Sequence, residues 1–226
     1  LWLRSPLENR LWRRTLAAGE SASCEVSITA RRVLLVVNTD SRDMSEDVVR
    51  AAFPELEVIE DDDLRAGVVS AWATAIEEND IDDLTEVPWL PPTQRALGLE
   101  NERLVSHVRD VTACAVALAE TLLERREVTL SVDTVVAGAL IHDVSKLAEF
   151  DGMTETPVYN LLGHPYYGVY VVAAVDLPVE LAHIVLSHTS RTPVEPATIE
   201  AELIRRADEV AAAAIRSQAT DDLRTV

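Results

Sequence analysis

The chain has 226 residues, of which 48% are hydrophobic and 26% charged. That apolar content is too high for a disordered chain, and the length suits one or two domains with a real core. Thirty-nine acidic residues against 20 basic ones leave a formal net charge of −19, which argues against non-specific nucleic-acid binding and against an anionic membrane surface.

The remaining counts narrow the class. No apolar run approaches the ~20 residues of a membrane span. No secretory signal is visible, and Cys24 and Cys114 are too few for a disulfide framework, so a cytoplasmic protein is expected. The acidity is spread evenly: residues 1–100 hold 20 acids and 10 bases, residues 101–226 hold 19 and 10. Lys146 is the only lysine.

In chain order, residues 23–37 are β-branched and apolar and predict one or two strands. Ser45–Phe53 reads as a short helix, Leu56–Ile59 as a short strand and Leu64–Glu78 as a longer helix. Asp61-Asp62-Asp63 reads as a helix-capping turn and not as metal ligands. The acidic stretch Asp80–Glu86 and the run Val87-Pro88-Trp89-Leu90-Pro91-Pro92 predict a linker. Residues 1–92 are therefore expected to be an N-terminal region, either a small α+β domain or an extension packed on the helical part of the chain. Residues 93–226 are expected to be a helical domain. The four tryptophans read as packing residues.

Five helices are predicted after residue 100: Glu102–Arg126, a helix capped by Ser131 and running to about Glu149, one opening at Pro165, one from Pro178 to about Thr189, and one after Pro196 ending near Gln218. All five histidines lie here. His107 shares a face with Val111, Cys114 and Leu118; His142 with Val135, Ala139 and Lys146; His188 with Leu181 and Ile184; Asp208 with Ile204, Ala211 and Ile215. Asp143 lies beside His142. His183 is about 140° round its helix from His188 and is expected to point away. Neutral imidazoles and carboxylates on inward faces suit Zn, Fe or Mn, and the oxygen ligands also admit Mg.

The ordered set His107, His142-Asp143, His164, His188, Asp208 resembles the HD superfamily of metal-dependent phosphohydrolases. Gly138-Ala139-Leu140-Ile141-His142-Asp143-Val144-Ser145-Lys146-Leu147 is similar to its central motif, Gly163-His164-Pro165-Tyr166-Tyr167-Gly168 to the His-Pro-x-x-Gly segment of its two-metal branch, Ile184-Val185-Leu186-Ser187-His188 to the next ligand helix, and Ala207-Asp208 to the closing Asp. The resemblance covers about residues 100–215. It implies a mainly α fold: a helical bundle over about residues 100–218, preceded by a small mixed α+β region. It implies that His107, His142, Asp143 and Asp208 hold a first divalent metal (Mn, Fe, Mg, Zn, Ni or Co), and that Asp143 bridges to a second held by His164 and His188. A further His is common after the position of His188; here Thr189 stands there. The Gly-Tyr-Pro segment of cyclic-di-GMP phosphodiesterases is absent.

The expected activity is hydrolysis of a small phosphorylated metabolite or nucleotide by metal-activated water. Asp143 and Lys146 are the expected catalytic residues, with Lys146 and Arg191 contacting the phosphate. A diiron centre oxidising a small organic substrate with O2 uses the same six ligands and is the alternative. A homo-oligomer is compatible with this reading.

Overall fold

The computed structural model describes residues 39–223 of the chain. The strands expected within 23–37 lie outside the described residues.

The expected helix at Ser45–Phe53 forms and starts earlier, as α1 (Thr39–Ala52). Leu56–Ile59, expected as a strand, is instead part of a 3-10 turn, Pro54–Val58. The proline opens the turn, and no partner strand lies alongside among the described residues. It still buries Leu56 and Ile59. Asp61 caps α2 (Asp62–Glu78) by accepting from the Leu64 amide at 2.9 Å, so the Asp run is the capping turn expected of it.

The proline-rich segment is more ordered than a linker. Leu84–Glu86 forms another 3-10 turn, and Pro91 and Pro92 open α3 (Pro91–Leu97) at its first turn, where proline's missing N–H costs nothing. Gln94 ties the segment together: its side chain accepts from Leu90 N and donates to the carbonyls of Leu99 and Glu102.

Residues before and after this segment share one core. Phe53 and Trp72 stack with ring centroids 4.9 Å apart, and both pack in the cluster that holds Val108, Leu140 and Ile204. Trp72 Nε1 donates to the Leu140 carbonyl at 2.9 Å. The described part of the N-terminal region thus packs into the same core as the later helices.

The helices beyond are α4 (Leu104–Arg125), α5 (Val132–Ile141), α6 (Lys146–Glu149), a hairpin of β1 (Phe150–Asp151) and β2 (Thr154–Glu155), then α7 (Pro157–Leu161), α8 (His164–Ala174), α9 (Val179–Ser187) and α10 (Ile199–Arg216). The hairpin is the only sheet among the described residues. Helix α10 packs on α4 and α5, α9 on α5 and α8, and α2 on α5, which puts α5 at the centre. Residues 135–141 are accordingly all buried. Ser131 caps α5 as expected.

Two expectations are corrected. The helix predicted from Ser131 to Glu149 is broken after Ile141. Hydrogen bonds of the i→i−3 type (Val144 N to Ile141 O, Lys146 N to Asp143 O, Leu147 N to Val144 O) tighten the chain through the His-Asp pair. Leu118, placed on the inward face of α4, is 40% exposed; Val108, Val111, Ala115 and Ala119 form the buried stripe instead. No helix among the described residues is long and apolar enough to cross a membrane.

Candidate metal centre

Six side chains from five helical elements meet at the middle of the bundle. His107 comes from the first turns of α4, and His142 and Asp143 from the tight turn after α5. His164 opens α8, His188 caps α9, and Asp208 lies midway along α10. The five His and Asp residues other than Asp208 are 4% exposed or less, while the Asp208 side chain keeps 19% exposure.

Their ligand atoms fall into two groups, His107 with His142 and Asp208, and Asp143 with His164 and His188, each within 4.8 Å. Asp143 joins the groups through its two oxygens. Oδ2 lies 3.4 Å from His107 Nε2 and 3.3 Å from His142 Nε2. Oδ1 lies 3.4 Å from His164 Nε2 and 3.7 Å from His188 Nε2. Asp208 Oδ1 lies 3.0 Å from His107 Nε2 and 3.9 Å from His142 Nε2.

The hydrogen bonds on the far side of the rings decide what the inner atoms can do. His142 Nδ1 meets the Ala139 carbonyl at 2.6 Å, and His188 Nδ1 meets the Val185 carbonyl at 2.7 Å. A carbonyl only accepts, so both Nδ1 atoms carry the proton and both Nε2 atoms present lone pairs. His164 Nδ1 meets the Glu149 carboxylate at 3.0 Å, with the same consequence. His164 Nε2 and His188 Nε2 then face each other at 3.3 Å with a carboxylate oxygen beside them. His107 Nε2, His142 Nε2 and Asp143 Oδ1 are buried with no partner in hydrogen-bond geometry, and Asp143 Oδ2 has the Lys146 ammonium 2.6 Å away. Buried ring nitrogens and carboxylate oxygens that converge in this way are the donor set of a cation site, and the residues fit a divalent metal in each group.

The electrostatics agree. Burial alone would lower the His142 pKa, but the Asp143 and Asp208 carboxylates outweigh it and raise it. Burial likewise opposes ionisation of Asp143, yet Lys146 and His142 hold its carboxyl well below the usual carboxylate range. Burial, with His142 next to it, pushes His188 down to about 3, so this ring is neutral at neutral pH. Asp208 is held below its ordinary value, against burial, by His107 and His142.

Lys146 is 5% exposed. Its Nζ lies 2.6 Å from Asp143 Oδ2 and 5.7 Å from the Trp89 ring centroid. Lys146, expected to contact phosphate, thus lies against the Asp143 carboxylate. Trp89 also packs on His107, centroids 5.3 Å apart, and shields that side of the centre from water. Arg191 sits over the Tyr159 ring with Nη1 3.6 Å from Glu149 Oε1, and its side chain is 39% exposed, at the rim of the second group. His183 stays outside both groups, as expected; its Nε2 accepts from the Ala197 amide. Glu149 was missed. It stands seven residues after His142, two helical turns on, which is the one signal the sequence carried for it.

A helical bundle that gathers paired His and Asp groups around a shared carboxylate defines a class of metal-binding protein, and comparison with known proteins specifies it. Residues 104–213 match the family model described as HD domain. Over 111 residues the chain is 33% identical to a Methanocaldococcus jannaschii protein named dihydroneopterin 2',3'-cyclic phosphate phosphodiesterase; the match covers 47% of this chain and 45% of that protein. The chain thus spans about half the length of the curated relative it matches. No solved structure gives a significant match.

Proposed function

We propose that the chain is a metal-dependent phosphohydrolase acting on a small phosphorylated metabolite or nucleotide, with cyclic phosphodiesters the first class to test. The observation that carries this is Asp143, whose two oxygens each face a separate group of ligands. His107, His142, Asp208 and Asp143 would hold one ion; Asp143, His164 and His188 would hold the other. Divalent ions there supply Lewis acidity at a phosphoryl oxygen and lower the pKa of water.

The chain's own groups do the rest. Lys146 keeps Asp143 ionised between the two groups. Trp89 covers His107 and α5 is buried, whereas the Asp208 and Arg191 side chains keep 19% and 39% exposure. Arg191, beside His164 and partly exposed, offers a cation for a phosphate oxygen. The net charge of −19 repels a phosphorylated substrate, and two divalent ions, if bound, would add about +4 at the centre and offset that repulsion locally. The Methanocaldococcus jannaschii relative, named for cleavage of a cyclic phosphodiester, supports hydrolysis over oxidation and suggests that substrate class.

The test is a substrate panel: 2',3'-cyclic nucleotides, bis-p-nitrophenyl phosphate and phosphomonoesters, each with Mn or Mg, under argon and in air. Hydrolysis equal in both atmospheres supports the proposal. Two irons per chain, no hydrolysis, and a product formed only in air would replace it with the diiron reading.

A further inference from the structure

Glu149 is fully buried, yet it ligates nothing in either group. Both its oxygens turn on one residue. Oε1 accepts from the backbone amide of His164 at 2.5 Å, and Oε2 faces His164 Nδ1 at 3.0 Å. Arg191 Nη1 also lies 3.3 Å from that Nδ1. The Glu149 carboxylate only accepts and is the nearer of the two, so the proton on Nδ1 is directed at Oε2; the guanidinium only donates, cannot share that proton, and serves as the counter-charge 3.6 Å from Oε1.

The local fold is arranged around this contact. The hairpin after α6 returns Thr156, whose amide donates to the Glu149 carbonyl at 2.8 Å and whose hydroxyl donates to the Ala148 carbonyl at 2.6 Å. Gly163, at φ +80°, takes a left-handed conformation that presents the next amide, that of His164, to the carboxylate. Ser145 Oγ donates to the His164 carbonyl at 2.7 Å. The backbone N–H, the backbone carbonyl and one ring nitrogen of His164 are therefore all engaged, and only Nε2 is left, aimed at His188 and Asp143.

We propose that Glu149 is the positioning residue of the second metal site: by accepting two N–H groups from His164 it holds the ring as the Nδ1–H tautomer, which frees Nε2 to bind the ion. This rests on the two-site reading under Proposed function. The first group has no equivalent carboxylate, because His142 is oriented by the Ala139 carbonyl. Loss of Glu149 should therefore separate the sites.

Glu149→Gln is the sharp variant, since it keeps the volume. Glutamine offers one acceptor and one donor. With its oxygen on the His164 amide, its NH2 faces Nδ1, and only the Nε2–H tautomer can accept that hydrogen bond. The proton then sits on the ligand atom. Two measurements on the full chain test this. Equilibrium dialysis against graded Mn, read by elemental analysis, should give two ions for the native chain. The variant should bind one with native affinity and the other about 10- to 100-fold more weakly. Nitrogen-15 NMR of the metal-free native chain should show His164 protonated at Nδ1, and the variant protonated at Nε2. Native-like binding of both ions by the variant would overturn the role of Glu149 and leave the two-site reading standing. A native chain that binds a single ion would overturn the two-site reading itself and the proposal with it. Should the variant fail to fold, the native spectrum still decides: an Nε2–H tautomer at His164 overturns the proposal.

Discussion

Replacing Lys146 with methionine keeps the aliphatic stem and removes the charge that sits 2.6 Å from Asp143. Both partners are at least 95% buried, with 5% and 1% exposure. Taking one partner from a buried ion pair costs about 3–5 kcal/mol, because the remaining charge is left uncompensated. In the metal-free chain Lys146→Met should lose stability on that order, or Asp143 should take up a proton. In the metal-loaded chain two divalent charges compensate Asp143, so the loss should shrink. By linkage the metal must then bind the variant more tightly than the native chain. Recovery of only about 1.4 kcal/mol corresponds to about a tenfold gain in affinity. Urea melts in EDTA and in saturating Mn, with a Mn titration of both proteins, measure both sides of the cycle. Equal destabilisation with and without metal, or weaker Mn binding by the variant, would refute the assignment of Asp143 as a metal ligand balanced by Lys146.

Other consequences can be checked independently. His142 is raised above its ordinary value of 6.5 in the metal-free chain, so the protonated form is favoured there and must lose a proton to bind an ion. Metal affinity should climb as pH rises through that raised pKa and then level off; calorimetry in buffers of different ionisation enthalpy should show proton release near pH 6.5, and its absence there would contradict the His142 role. Trp72→Phe removes the hydrogen bond to the Leu140 carbonyl just before the His-Asp turn and should cost about 1–3 kcal/mol in urea melts; an unchanged midpoint would mean the carbonyl has another partner. At Gly168 an added Cβ would lie 2.4 Å from Val185 Cγ1 and 3.1 Å from Ser145 Oγ. Gly168→Ala should therefore cost about 1–3 kcal/mol and loosen the Ser145 bond to His164; native stability would show that α8 can slide without penalty.

Some candidate ligands were legible because apolar partners mark the inward face of their helix. His188 with Leu181 and Ile184, and Asp208 with Ile204, Ala211 and Ile215, are of this kind, and those partners are buried. The break after Ile141 was not legible. Gly138 to Glu149 contains no proline and reads as continuous helix, and the tight turn is imposed by tertiary contacts such as Trp72 on the Leu140 carbonyl. Leu56–Ile59 misled for a related reason, since a short apolar run is buried alike as strand or turn. Pro91 and Pro92 read as breakers but serve as a helix start, a position that depends on Gln94 and its three hydrogen bonds. Glu149 was hidden because an acidic residue at a helix end is usually solvated. Only the fold shows that it faces His164 and not water.

The most direct test of the central claim is the metal content of anaerobically purified protein set against that of Asp143→Asn. If Asp143 joins two sites, the native chain should hold two ions and the variant should lose affinity at both, with the fold retained by circular dichroism. Loss of one ion alone, or full metal content in Asp143→Asn, would contradict the shared carboxylate on which the proposed phosphohydrolase rests.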